Sequence, residues 1–137
     1  MTVGPDLTYN GGNDAFVAKI TEPIVVGMDI KPGSFPNSIN TRSSGTIPVA
    51  ILSSTTFNAP ASVDPHSLAF GRTGTEQSLA FCNSSGEDAN GDGLTDLVCH
   101  YYTQATGFLP GDTAGILTGK TFDGHLIVGT DSVRIVQ

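Results

Sequence analysis

Short apolar runs separated by turn residues set the pattern along this chain. Ile24-Val25-Val26-Gly27-Met28-Asp29-Ile30 is rich in β-branched residues and stops at Lys31-Pro32-Gly33. Gly45 to Leu52 is a second run, and its Pro48 points to an edge position or a bulge, because proline cannot donate to a ladder. Ser67 to Phe70 and Ser78 to Cys82 are shorter candidates. Leu97 to Tyr102, Thr113 to Thr118, Leu126 to Val128 and Ser132 to Val136 complete the series. Helical periodicity is confined to Asn13 to Ile20, which runs straight into Thr21-Glu22-Pro23. Many short β-rich runs with turn signals between them predict an all-β fold, an antiparallel β-sandwich. Its expected core includes Ile30, Val49, Ile51, Leu97, Val98, Ile116, Val133 and Ile135.

The connectors fit that reading. Lys31-Pro32-Gly33-Ser34 and Leu109-Pro110-Gly111-Asp112 each place Pro before Gly. Pro presets φ at the first turn position and Gly accepts positive φ at the next, the requirement of a type II turn. Asp123-Gly124 marks a hairpin between Lys120-Thr121-Phe122 and Leu126-Ile127-Val128. The chain has 17 Gly and 8 Pro and only 14% charged residues, which suits a fold of strands and turns rather than helices.

Charge narrows the partners. The net charge is −7, so phosphate backbones and anionic membranes are disfavoured. No apolar run approaches the ~20 residues of a spanning helix, so membrane insertion is not expected. The acidic residues cluster: Glu87, Asp88, Asp92 and Asp96 fall within a short stretch that repels itself unless a cation neutralises it. Asp88-Ala89-Asn90-Gly91-Asp92-Gly93-Leu94-Thr95-Asp96 presents an oxygen ligand at alternate positions. Asp88, Asn90 and Asp92 supply side-chain oxygens, Gly93 permits the sharp turn, Leu94 offers a carbonyl, and Asp96 adds a carboxylate. That is a Ca2+ loop pattern. Where an EF-hand carries its bidentate Glu this chain has Cys99, and the following residues read as a strand. The loop therefore resembles the strand-flanked calcium loops of integrin-type FG-GAP repeats. Glu87, a distant Asp or water would complete the coordination. The alternative is a solvated, Asx-rich turn without metal. Zinc is not indicated, since Cys82, Cys99 and the three His lack paired ligand spacing.

Cys82 and Cys99 flank this loop. If the two runs pair as an antiparallel hairpin, a disulfide there closes a loop of about 17 residues, for which the chain-entropy model gives ~3 kcal/mol. Two free buried thiols are the alternative.

Two resemblances add to this reading. Leu7 to Ile20, with Gly11-Gly12, Asp14-Ala15-Phe16-Val17 and Lys19, resembles the end of one repeat of bacterial SBBP-type β-propellers. Residues 1–22 are accordingly expected to be a linker or the remnant of a propeller repeat, with an ordinary first strand as the alternative. Residues 23–137 would form the sandwich, of immunoglobulin- or cohesin-like type. From Met28 onward the chain resembles an uncharacterised bacterial extracellular domain found at the C-terminal end of secreted proteins. The residues that carry this are Asp29-Ile30-Lys31-Pro32-Gly33-Ser34, Pro36-Asn37-Ser38-Ile39-Asn40, Gly45 to Leu52, Val63-Asp64-Pro65, Glu87 to Val98 and Leu117 to Thr121. The resemblance implies an extracellular or cell-surface setting and a calcium loop, and supplies no catalytic mechanism. Met1 to Ile20 has neither the basic start nor the apolar core of a signal peptide.

Three functions compete. The first is a non-catalytic calcium-binding module, a spacer or adhesion element of a larger secreted protein. The second is a carbohydrate-binding module, with a polysaccharide or a cell-surface component as partner. Tyr101 and Tyr102 are its candidate ligand-binding residues, and as neighbours on a strand they point to opposite faces. The third, a small hydrolase, has the least support: there is no G-x-S-x-G elbow and no H-E-x-x-H, and His66, His100 and His125 are scattered. No catalytic residue is assigned.

Overall fold

The computed structural model describes residues 22–136, so the segment resembling a propeller repeat and the helical candidate Asn13 to Ile20 lie outside the described residues. The strands are β1 (Ile24–Val25), β2 (Gly27–Ile30), β3 (Ser38–Asn40), β4 (Thr46–Leu52), β5 (Ala69–Gly71), β6 (Leu79–Glu87), β7 (Asp96–Tyr102), β8 (Ala114–Lys120), β9 (Leu126–Ser132) and β10 (Arg134–Val136). One four-stranded sheet has the order β1-β9-β8-β5 and a second the order β2-β4-β7-β6, while β3 and β10 form a separate pair. Pairing is antiparallel throughout the two sheets except for the short parallel contact of β1 with β9, and the β10–β3 pair is also parallel. The all-β sandwich architecture read from the sequence is the architecture observed.

The first apolar run serves both sheets. Ile24 and Val25 pair with Ile127 and Val128, Val26 N donates to Val128 O at 2.9 Å, and the chain then crosses so that Met28 pairs with Ile51 in the other sheet. Strand periodicity decides what turns inward. Met28 and Ile30, Ile47, Val49 and Ile51, and Leu97, Cys99 and Tyr101 form one wall of the core, and Phe70, Leu117 and Ile127 form the other. Between these bulky positions β8 and β9 carry glycines. A Cβ on Gly115 would lie 3.0 Å from Ile30 Cδ1 and 3.1 Å from the Phe70 ring, and one on Gly129 would lie 2.9 Å from Met28 Sδ. The small residues make room for Ile30 and Met28 of the opposite sheet and for Phe70 of the neighbouring strand β5, so that the two faces interdigitate at close-packed density.

Of the expected core, Ile30, Val49, Ile51, Leu97 and Val133 are buried in it, and Ile135 packs partly buried against it. Ile116 is a correction: the inward positions of β8 are Gly115, Leu117 and Gly119, so Ile116 points outward and is only half-covered, in part by the turn at Gly74. Val98 is buried, but it lies between the inward residues Leu97 and Cys99 and belongs to the outer face of its sheet. Pro48 sits on β4, which is flanked on both sides rather than at the sheet edge. The position is nevertheless edge-like. Pro48 O accepts from Lys31 N at 2.7 Å, so its nitrogen faces the side where β2 has just ended at Ile30, and no ladder donor is lost.

The turns follow their residues. Ser34 N donates to Lys31 O and Asp112 N to Leu109 O, with Gly33 at φ 86° and Gly111 at φ 91°, as type II turns require. Cys82 and Cys99 stand directly opposite each other on β6 and β7 and are joined by a disulfide. One element without a signal in the apolar pattern is α1 (Ala59–Ser62), a single turn capped by Asn58, whose Oδ1 accepts from Ala61 N at 3.2 Å. Its Pro60 lies inside the first turn, where the missing N–H costs nothing.

Filling the space between the sheets should be costly. Gly115→Val is expected to lower unfolding stability by about 2–3 kcal/mol, in the range of overpacked cores. Urea denaturation of the variant beside the unaltered protein measures this.

Candidate metal centre

The loop that joins β6 to β7 is held by its own carboxylates. Asp88 Oδ1 accepts from Gly91 N at 2.9 Å and Asp92 N at 3.2 Å, and its Oδ2 accepts from Gly93 N at 2.8 Å. Asn90 Oδ1 accepts from Asp92 N at 3.4 Å, and Asp92 Oδ1 from Leu94 N at 2.9 Å. Gly91 and Gly93 have φ of 73° and 84°, so the loop turns inward at two left-handed positions that suit glycine. The Gly93 N–H, followed by those of Gly91, Asp92 and Asn90, holds the Asp88 carboxyl below the usual carboxylate range.

Asp96 closes the loop from beneath. Its side chain is fully buried, with Oδ1 accepting from Ser53 N at 2.8 Å and Oδ2 from Ala89 N at 2.9 Å. Ser53 is fixed in turn: its hydroxyl donates to Thr95 O at 2.6 Å and accepts from Ala59 N at 2.8 Å. The end of β4 and both ends of the loop therefore meet on one carboxylate, and the Ser53 hydroxyl ties the start of α1 to the same point.

Asp88, Asp92 and Asp96 each bring a carboxylate oxygen into a group whose members lie within 4.8 Å of one another. Oxygens bound to one calcium ion at 2.3–2.6 Å can be no more than roughly 5 Å apart, and this group meets that limit. A carboxylate has about four lone-pair sites, so the backbone bonds to Asp88 and Asp96 leave capacity for a cation. Of the other predicted ligands, Asn90 and Leu94 lie within the loop. Glu87 begins it, paired with Asp96 at the end of the ladder, and its Oε2 accepts from Asn83 Nδ2 at 3.3 Å. The part played by Ser53 was not foreseen, because it lies far from the loop in sequence and only the β4–β7 pairing brings it there.

The remaining candidates separate by position. Tyr101 is fully buried and tilts against Phe70 with ring centroids 5.0 Å apart, while Tyr102 is 54% exposed. Burial raises the Tyr101 hydroxyl pKa, and among the described residues that hydroxyl has no hydrogen-bond partner. Only Tyr102 of the pair can meet a ligand at the surface. His66 and His125 sit in turns beside Asp64 and Asp123. The hydroxyl of Thr121, then the His125 ring, hold Asp123 down to about 2. His100 stacks on Phe81 with centroids 4.5 Å apart. Asp123 and His125, with Ser62, Phe57 and Phe122, line a shallow open recess well separated in sequence from the acidic loop.

Searches against family models, curated proteins and solved structures return no match to this chain.

The two buried N–H groups on Asp96 give a test of its structural role. In chelator, Asp96→Ala is expected to lose about 2–4 kcal/mol, because Ser53 and Ala89 are left without acceptors. Asp92→Ala, whose backbone contact is exposed, should change stability by less than about 0.5 kcal/mol under the same conditions. Urea titrations in chelator separate the two.

Proposed function

We propose that this chain is a non-catalytic, calcium-binding β-sandwich module of a secreted protein, acting as a spacer or adhesion element. The observation that carries the reading is the convergence of the Asp88, Asp92 and Asp96 carboxylates on a loop that alternates oxygen donors. Oxygen-only donors in a short flexible loop match the hard-ligand preference of calcium. Magnesium suits the site less well, since it demands a smaller octahedral shell and keeps its waters. An ion would replace mutual repulsion of three carboxylates with attraction and would stiffen the connection between β6 and β7.

The Cys82–Cys99 disulfide is compatible with an extracellular setting, where such bonds persist. Among the described residues, no helix is long and apolar enough to cross a membrane. The resemblance of Met28 onward to bacterial extracellular domains supports the same setting.

Binding to the native state alone raises stability by RT ln(1 + [L]/Kd), about 2.7 kcal/mol when calcium is at a hundred times Kd. For a domain of this size the melting midpoint should rise by several degrees in millimolar calcium relative to chelator. Asp92→Ala should abolish most of that rise, and Asp123→Ala, on the β8–β9 turn, should leave it intact. Equal midpoints with and without calcium for the unaltered protein would contradict the proposal.

A further inference from the structure

The outer face of the β2-β4-β7-β6 sheet carries an aromatic surface that the calcium reading does not use. β7 turns Leu97, Cys99 and Tyr101 into the core, so Val98, His100 and Tyr102 face out. Phe81 joins them because of a bulge. Leu79 pairs with Tyr101 and Phe81 with His100, so two steps along β6 match one along β7. Without the extra residue, Phe81 would share the inward face of Leu79, which packs on the core. The bulge sends a large apolar ring into solvent instead, and bulges are a usual means of re-aiming a side chain. Phe81 is 56% exposed and Tyr102 54% exposed, and the His100 ring lies nearly parallel to Phe81 at 15°.

What surrounds these rings is uncharged. The outward neighbours by register are Thr46 and Pro48 on β4 and Asn83 on β6. Tyr102 also borders a shallow recess of about 380 Å³ lined by Ser44, Gly45, Gln104 and Ala105. Gln104 is held there by its Nε2, which donates to Arg42 O at 3.2 Å. In a chain of net charge −7, the groups next to the rings are hydroxyls and amides, and the carboxylates of the same face lie at its margins, Asp29 on the far edge strand β2 and Glu87 at the loop end of β6. A charged partner would find no counter-charge among those groups. A second copy of the chain would need apolar area to bury, and the rings here are interleaved with polar groups. A neutral sugar ring matches both features: its C–H faces are apolar and pack on aromatic rings, and its hydroxyl rim needs uncharged donors and acceptors.

The geometry points to Phe81, His100 and Tyr102 as a binding face for a neutral polysaccharide, with Ser44 and Gln104 meeting sugar hydroxyls beside Tyr102. Tyr102 and Phe81 supply the stacking surfaces, and His100 holds the Phe81 ring in position. This face is independent of the acidic loop, so either assignment can fail without the other.

The test is depletion from solution, in calcium buffer, by microcrystalline cellulose and by an insoluble β-1,3-glucan, with immobilised polygalacturonate as the acidic control. The unaltered protein should be retained on at least one neutral polysaccharide and not on polygalacturonate. Phe81→Ser with Tyr102→Ser should lower retention at least tenfold, while Tyr102→Phe should keep most of it. Phe122→Ser, which removes another exposed ring at the β8–β9 turn of the other sheet, should change nothing. Calcium-dependent melting of each variant reports separately on the fold and on the metal reading. Retention on neither neutral polysaccharide overturns the proposal, as does equal retention of the double variant or equal loss with Phe122→Ser. Sedimentation showing a dimer that the double variant dissolves would assign the face to a second copy instead.

Discussion

A buried carboxylate that accepts backbone hydrogen bonds from two distant segments is the constraint on which the acidic loop depends. Asp96 holds Ser53 N and Ala89 N, and through Ser53 it also fixes Thr95 and the first turn of α1. Burying a charge without partners is costly, whereas two N–H donors aimed at its oxygens recover much of that cost. The consequence is that one candidate ligand sits on the floor of the loop in a fixed place. Asp88 and Asp92 then have only to approach it from the exposed side, positioned by contacts with their own loop backbone.

The β6–β7 hairpin organises more than the loop. At one end it presents the acidic cluster, in its middle it is clamped by Cys82–Cys99, and toward its other end the bulge at Leu79–Phe81 lifts a ring to the surface. The disulfide closes 17 residues that include the whole loop, so it limits the unfolded chain most where the native segment has few apolar contacts of its own. The partner sheet contributes differently. Gly115 and Gly129 leave space for Ile30 and Met28 of β2 and for Phe70 of β5, so the two sheets interdigitate closely.

Much of this was legible in the residues, for reasons that can be named. Strand periodicity and Pro-Gly turns are local signals, and they located the β-rich runs and the type II turns at Gly33 and Gly111. The hairpin that brings Cys82 opposite Cys99 could be anticipated because one loop alone separates the two strands. Non-local placement was less accessible. Ile116 was misplaced because a run of apolar residues does not reveal which alternate set faces inward when the inward set is Gly115, Leu117 and Gly119. β3 and α1 went unseen, being short and stabilised by tertiary pairing and capping rather than by pattern. Ser53 and Phe81 were missed for a related reason: one acts across a strand pair, and the other faces out only because of a one-residue register shift.

In the proposed metal centre one calcium ion is shared by the three carboxylates of the loop. A crystal structure from calcium-containing solution, with anomalous data to identify the ion, tests it most directly. A single calcium peak is expected about 2.3–2.6 Å from oxygens of Asp88, Asp92 and Asp96, with a total of six to eight oxygen ligands. A loop in which these carboxylates bind only backbone N–H groups and water at millimolar calcium, or a calcium ion bound elsewhere on the chain, would contradict it.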